Sequence, residues 1–388
     1  MDLRLFARLR CPTCKSELEL KPFEEGLPGA AGSSAENSEP DRRIIKDGCL
    51  LCHKCRVWYP VSSYVPVMLV FKTRFHTHFA ARFQARLAEI GGYDFPRGVP
   101  QPGERSVQET FTEEWETLNY DDLSFGFSRE ELRQLHGKVW LKQKEGSSSG
   151  IESVLNVGVG FGIESEVLQA ITGAELFAVD LNFSVLQKGE QILSNPKLHF
   201  VIASLFNVPF EEKSFDLVYS QGVLMHTHDT QKAFNSIAKF VKERGQLFVW
   251  VTAIDDVFIH RWPRRAVTMT FYCSSLVLRP VLSRSPSWVR RPAIFVLSVL
   301  LHPLLRMRGR HGGKWKLPNS EHLLRDYFTP RYVHMCRFND VIEWFESLQF
   351  DCQVQSAVEF RRIFGKAMDG IGILGVRSGY TTGQPSAL

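Results

Sequence analysis

The chain has 388 residues, 47 of them basic and 42 acidic, with 44% hydrophobic and 12% aromatic side chains. That length and apolar content exclude a disordered chain and provide for two or three domains with substantial cores. The net charge of +5 hides a local block: between Asp256 and Glu321 stand ten arginines, two lysines and no acid, while the remainder sets 35 basic against 42 acidic residues. Such a block says more about partners than the mild overall charge does.

Residues 1–70 begin with CPTCKSELEL (11–20) and end with DGCLLCHKCRVWYPVSSYVPVML (47–69). Arg4, Arg8 and Arg10 are followed by cysteines rather than by an apolar signal-type run, so the expected location is cytoplasmic. Five of eight cysteines fall in this block, and clustered cysteines in that setting read as metal ligands before disulfides. The pairs Cys11/Cys14 and Cys52/Cys55 each have CxxC spacing. Two thiolates so spaced fold around one face of a metal ion, and two pairs complete a tetrahedral site that predicts a structural zinc with no open position for water. Cys49 forms a competing CxxC with Cys52. Residues 22–42 are rich in Gly, Ala, Ser, Pro and Glu and read as a flexible loop.

Residues 71–150 are polar and helix-compatible, ending in GSSSG (146–150), a linker or tight turn. From 151 to 256 the pattern is βα: VLNVGV, LFAVDL, LHFVIA, FDLVYS and GQLFVWVT are short apolar runs, with helix-like segments such as ESEVLQAI and TQKAFNSIAKFVKE between them. Strands alternating with helices predict a parallel sheet covered on both faces. Residues 257–325 form a basic, apolar insertion. The core pattern resumes over 326–379, with a helix around DVIEWFESL and strands FDCQVQSA and GIGILGVR. Residues 380–388 read as a disordered tail.

The loop VLNVGVGFG (154–162) places glycines at 158, 160 and 162, after a strand and before a helix. A dinucleotide fingerprint would need a third glycine where Ile163 stands. Asp180 ends the next strand, where a carboxylate can accept from ribose hydroxyls. His226, His228 and Asp229 follow the fourth strand, at the sheet edge where ligands bind. His226 is the candidate base or substrate positioner. Tyr219 is a second catalytic candidate, and Tyr219 and Gln221 are both expected to face the substrate.

The Val154–Gly162 loop, Asp180, Pro209-Phe210, the FDLV run at 215–218 and Gly222 to Thr227 resemble class I S-adenosylmethionine-dependent methyltransferases of the type 11 branch. That resemblance implies a Rossmann-like, mostly parallel seven-stranded α/β sheet with helices on both faces, plus the N-terminal zinc ribbon and the helical basic insertion. It implies a cofactor site of Asn156, Gly158, Gly160, Gly162, Asp180, Leu181, Ser204, Leu205 and Gln221. Asn156 departs from the usual acid of the first motif, and Ser204 from an Asp that accepts from the adenine amine. Met225 replaces a histidine common in that branch, so no two-histidine mechanism is expected. FTEEW (111–115) resembles a segment that closes over the cofactor, and DYFTP (326–330) fits the same branch.

Residues 6–70, through CPTCK, LLCHKC, WYP and VPV, resemble the small zinc-ribbon proteins that activate or accompany methyltransferases. This implies a protein-partner or domain-stabilising role. The expected function is methyl transfer to a small-molecule or lipid-linked nucleophile; the alternatives are an RNA methyltransferase or a cofactor-binding scaffold without activity. For the insertion, three readings stand. A membrane surface would use the apolar run AIFVLSVLLHPLL (293–305), which is too short to span a bilayer and is broken by Pro303, with flanking Arg and Trp. A helical lid would pack on the substrate pocket. An RNA-backbone patch ranks behind both.

Overall fold

The computed structural model describes residues 1–26, 43–117, 123–124, 127–142, 150–160, 162–254, 264–308, 315–365 and 370–379. Most of the expected loop, the 146–149 linker, Arg261, Trp262 and the 380–388 tail lie outside these.

The N-terminal unit is a four-stranded antiparallel sheet in the order β1 (Glu19–Gly26), β2 (Ile44–Cys52), β3 (Val57–Ser62) and β4 (Val65–Pro66). The expected loop 22–42 is too long at its start, because β1 runs to Gly26, opposite Ile44. Phe23 explains the extension: its ring packs 5.2 Å from Phe83 and holds an otherwise acidic strand in place. β4 leads directly onto the larger sheet, where the Met68 N–H donates to the Ile202 carbonyl at 2.7 Å. An exposed sheet edge is thereby covered by the chain's own ribbon.

After a two-strand hairpin, β5 (Leu123–Ser124) and β6 (Phe127–Ser128), the main sheet comprises β7 (Ser153–Val157), β8 (Glu175–Asp180), β9 (Leu198–Ile202), β10 (Phe215–Gln221), β11 (Val241–Val251), β12 (Phe350–Val354) and β13 (Ile371–Arg377). Its order is β12-β13-β11-β10-β7-β8-β9. β7 to β11 pair in parallel, and β13 is antiparallel to both β11 and β12. The seven-stranded expectation holds, with its antiparallel end hairpin.

The strands read as continuous apolar runs because both faces are buried. Leu155, Val157, Phe177 and Val179 belong to one core, and Val154, Leu176, Ala178 and Leu217 to the other. The first core also contains Met1, Leu5, Cys11, Tyr59 and Met68 of the ribbon. Ribbon and sheet therefore share one apolar interior. Arg8 strengthens the join: its guanidinium lies 4.7 Å from the centroids of both Phe177 and Phe215 and donates to the Ser214 carbonyl at 2.7 Å.

The basic insertion is helical over Arg264–Leu282 and Ser287–Arg308. The next helix, Leu317–Phe328, crosses the boundary expected at residue 325. It packs with both insertion helices around Ile294, Leu305, Leu324 and Phe328.

Candidate active site

Chain order runs outward from β7 to β9, then returns to β10 on the other side of β7. That reversal opens a crevice at the carboxyl ends of the strands. A cavity of ≈ 330 Å³ occupies it. Gly158, Gly160, Asp180, Leu181, Leu205 and Gln221 line its floor, and His226 and His228 its side.

The glycine loop is shaped by backbone conformations that side chains rarely adopt. Gly158 has φ +98, and a Cβ there would stand 2.1 Å from Val223 Cγ2. Gly160 has φ +51 and lies under the Trp115 ring. Asp180 locks the turn: its Oδ2 accepts from the Val159 N–H at 2.6 Å and from the Gly160 N–H at 3.3 Å, and its Oδ1 from the Asn182 N–H at 3.0 Å. Gly162 caps the helix Ile163–Thr172. Glu164, in the first turn of that helix, puts a carboxylate on the cavity wall.

Four residues expected at the site, Asn156, Gly162, Ser204 and Tyr219, do not line the cavity, and Gly162 serves instead as the cap of the helix that follows it. Asn156, 2% exposed, donates from Nδ2 to Ser165 Oγ at 2.8 Å and ties β7 to the following helix. A neutral amide suits that buried position, where a carboxylate would be costly to desolvate. Ser204 is buried, accepts from the Phe206 N–H at 3.1 Å and bonds the Glu104 carboxyl. Tyr219 stands two residues before Gln221, about 7 Å further from the sheet's carboxyl edge. Its hydroxyl bonds Gln221 Oε1 at 2.6 Å and His136 Nδ1 at 3.1 Å, and burial raises its ionisation well above the ordinary value. Tyr219 is thus a support. With Trp140 Nε1, also bonded to Gln221 Oε1 at 3.1 Å, it leaves the Gln221 Nε2 as the group to donate. Asp229, meanwhile, caps the helix Thr230–Ala238.

The roof comes from the helix Glu104–Thr117, whose Glu104, Gln108, Phe111 and Trp115 all line the cavity. Their spacing of four, three and four places them on one helical face, of which only the FTEEW end (111–115) is expected from the sequence to close over the site. Gln108 Nε2 donates to the Leu181 carbonyl at 2.8 Å, and Thr112 Oγ1 accepts from the Phe183 N–H at 3.0 Å. Burial holds the Glu104 carboxyl above the usual range despite its bond to Ser204.

The lid is supplied by the insertion and the Leu317–Phe328 helix: Phe271, Trp315, His322, Asp326 and Tyr327 line the cavity. Arg290 and Arg291 both pair with Glu113 and clamp lid to roof. Two imidazole–carboxylate pairs sit at the junction. His226 Nε2 faces Asp326 Oδ1 at 3.4 Å, and His322 Nε2 faces Glu114 Oε1 at 3.1 Å. Burial opposes the charged form of Asp326, but His226, His322 and Arg279 outweigh it and hold its carboxyl below the usual range. Burial pushes the Glu114 carboxyl up. Glu104, Gln108, Glu164, His322 and Asp326 line the cavity, and sequence reasoning left each of them without a role of its own.

A second cluster lies in the ribbon. The sulfurs of Cys11, Cys14, Cys52 and Cys55 all lie within 4.8 Å of one another. Cys11–Cys55 and Cys14–Cys52 are 3.9 and 3.5 Å apart, bracketing the edge of about 3.8 Å that four bonds of about 2.3 Å around tetrahedral zinc require. The donor set fits zinc. Cys49 points the other way, into a core with Leu51, Trp58 and Phe79, and burial pushes its thiol up to about 12.

Residues 155–249 match the methyltransferase domain family Methyltransf_11, and residues 2–62 match the Trm112p-like protein family. Phosphoethanolamine N-methyltransferase 2 of Caenorhabditis elegans is 28% identical over 101 residues, 25% of this chain and 23% of that protein. Sterol 24-C-methyltransferase ERG6B of Gibberella zeae is 27% identical over 136 residues, 34% of this chain and 35% of that protein. The chain thus spans about a quarter to a third of the length of these relatives. Among solved structures, phosphoethanolamine N-methyltransferase 2 of Haemonchus contortus, in complex with phosphomonomethylethanolamine and S-adenosylhomocysteine, is 13% identical with a TM-score of 0.41, covering 73% of this chain and 62% of that one. The chain carries a methyltransferase domain joined to a Trm112p-like domain.

Proposed function

We propose that the protein transfers a methyl group from S-adenosylmethionine to a small-molecule or lipid-linked nucleophile held beneath the helical lid. One observation carries this reading: the Gly158/Gly160–Asp180–Leu181–Leu205 floor and the His226/Asp326 wall line a single cavity. A cofactor bound along the floor can therefore meet an acceptor on the wall without exposure to bulk water.

When bound, the sulfonium supplies an electrophilic methyl that any aligned nucleophile can take. This chain's residues supply the rest. Asp180 and the N–H of Leu181 offer an acceptor and a donor at the ribose end of the floor. Glu164, on the cavity wall, would hold the ammonium of the methionine part and would supply the charge that Asn156 lacks. Glu104, bonded to Ser204, provides the carboxyl at the adenine end. Gln221 Nε2, its Oε1 already occupied, would donate to the methionine carboxylate. Trp115 and Phe111 close the roof and exclude water. His226 receives the acceptor's proton at Nε2, where Asp326 stands to balance the charge.

The relatives named for phosphoethanolamine and sterol methylation support an amphiphilic or small polar acceptor. The ribbon's four cysteines would hold zinc in a structural role, bracing the sheet edge against which the ribbon packs.

Calorimetry with S-adenosylmethionine and S-adenosylhomocysteine tests the reading. Both should bind, and Glu164→Gln should weaken each by about tenfold, the loss of one charge-assisted contact of about 1.5 kcal/mol. Absence of binding by either compound would remove the basis for methyl transfer.

A further inference from the structure

The two insertion helices are apolar on both faces, and the protein covers only one of them. In the Ser287–Arg308 helix, Ile294, Ser298 and Leu305 are buried against the Leu317–Phe328 helix. On the other side Trp288 (76% exposed), Phe295 (51%), Val299 and Leu300 (69%) recur at helical spacing and face outward. The Arg264–Leu282 helix adds Leu276, Val277 (71%) and Val281. A surface helix of a soluble domain keeps its outward face polar; one that is apolar all round calls for a second cover.

Length alone would let Ser287–Arg306 cross a membrane, which corrects the expectation drawn from the shorter run 293–305, since the helix continues through Pro292 and Pro303. Packing argues against crossing. The Ile294/Ser298/Leu305 side is already sealed by protein, so lipid can reach only half of the helix. That geometry belongs to a helix lying in an interface.

Charge decides what the cover is. The segment 257–320 carries twelve cations and no acid, and although Glu113 takes Arg290 and Arg291 and the Tyr327 and Val333 carbonyls take Arg279, no acid of its own offsets the rest. Arg284 is exposed in the turn joining the two helices, and Arg306 is exposed near the end of the second. A second copy docking through the same face would bring two cationic segments together. A bilayer containing anionic lipids satisfies both features, taking the apolar side chains below its headgroups and the arginines among them. Trp288, at the start of the helix, is the residue type that settles at that level. The opposite sides of these helices contribute Phe271, Tyr272 and Leu305 to the cavity lining.

We propose that the outward face of the Arg264–Leu282 and Ser287–Arg308 helices docks on an anionic lipid bilayer. Docking brings the cavity within one helix diameter, about 10 Å, of the headgroups. The acceptor is then a membrane amphiphile whose reactive group is passed beneath the lid. The acceptor assignment rests on the methyl-transfer reading; the docking does not.

The experiment uses the full chain with vesicles of phosphatidylcholine alone and of phosphatidylcholine mixed with phosphatidylglycerol, sedimented over a salt series. Binding should be at least about tenfold stronger to the anionic vesicles and weaken as salt rises. The triple variant Phe295→Ser/Val299→Ser/Leu300→Ser changes only outward-facing residues. It should lose at least about tenfold in vesicle binding while keeping the wild-type thermal transition and cofactor affinity. No binding to anionic vesicles, or wild-type binding by the triple variant, overturns the proposal. So does a wild-type dimer that the same variant converts to monomer, because the cover is then a second copy. Vesicle binding without binding of S-adenosylmethionine would sink the methyl-transfer reading and leave docking in place.

Discussion

His226 presents Nε2 to Asp326 Oδ1 at 3.4 Å while its Nδ1 lies 3.1 Å from the Tyr332 carbonyl oxygen. A carbonyl only accepts, so Nδ1 carries the proton and Nε2 is the nitrogen open to another. A proton arriving there meets a carboxylate already in position. His226 comes from the turn after β10 and Asp326 from the third lid helix, a hundred residues later, so the pair exists only when the lid is folded onto the sheet.

For this pair, His226→Gln should lower turnover by about 10²–10⁴, the range for a positioned acid–base group, and Asp326→Asn by less. Both should leave cofactor affinity within about twofold, because neither contacts the floor. Incorporation of label from methyl-labelled S-adenosylmethionine into a lipid extract measures the first effect, and calorimetry the second. Full turnover in His226→Gln would reject the base.

Asp180 has a structural job besides its proposed one at the ribose. Because its carboxylate accepts from Val159, Gly160 and Asn182 before any cofactor arrives, Asp180→Ala should destabilise the free protein by about 1–3 kcal/mol, the cost of losing hydrogen bonds to a charged group. It should also weaken cofactor binding by about 1.5–3 kcal/mol. Urea unfolding without ligand and calorimetry separate the two. An unaltered affinity would remove Asp180 as a cofactor ligand.

Metal analysis should find one zinc per chain, lost in Cys52→Ser and retained in Cys49→Ser. Because Cys11 and Cys52 share a core with Leu155 and Val179, metal loss should lower the transition of the whole protein, not release a ribbon that melts alone. A fall of roughly 5–10 °C corresponds to about 2–3 kcal/mol for domains of this size. A separate low-temperature ribbon transition would contradict the shared interior.

His136 should make folding sensitive to acid. Its ring stacks on Tyr219, and burial pushes its imidazole down to about 3, against about 6.5 in an unfolded chain. Between those values the unfolded chain binds a proton that the folded chain refuses, so stability rises with pH across this window and is lost as pH falls below about 6.5. The slope is about 1.4 kcal/mol per pH unit. His76, pushed down to about 4 by burial, adds to it. Urea unfolding over this range should show His136→Leu with a slope shallower by about that amount. An identical slope would mean that His136 titrates freely in the fold.

Much of the architecture was legible because it rests on short-range pattern. The apolar runs at 154–159, 176–181, 198–203, 215–220 and 245–252 all became strands, since fully buried parallel strands have few alternatives. Cys49 shows where pattern stops. Its spacing to Cys52 equals that of a metal pair, yet both lie on β2, where a separation of three puts side chains on opposite faces. Only the extent of the strand decides which cysteine turns toward Cys11 and Cys14. Tyr219 shows the same limit along a strand: it shares a face with Gln221 but sits too deep to reach the cavity.

By itself the sequence determined the sheet, the glycine loop, the acid at the end of β8 and the two cysteine knuckles, because each is encoded by residues close together in the chain. Only tertiary structure decided that Asn156 and Ser204 serve as supports, that Glu104 and Glu164 bring carboxylates to the cavity, and that His226 meets Asp326. It also decided that the ribbon shares the sheet's core and that the lid leaves one apolar face uncovered. Those outcomes depend on which surfaces of distant segments come together, and burial and charge pairing are settled only at that contact.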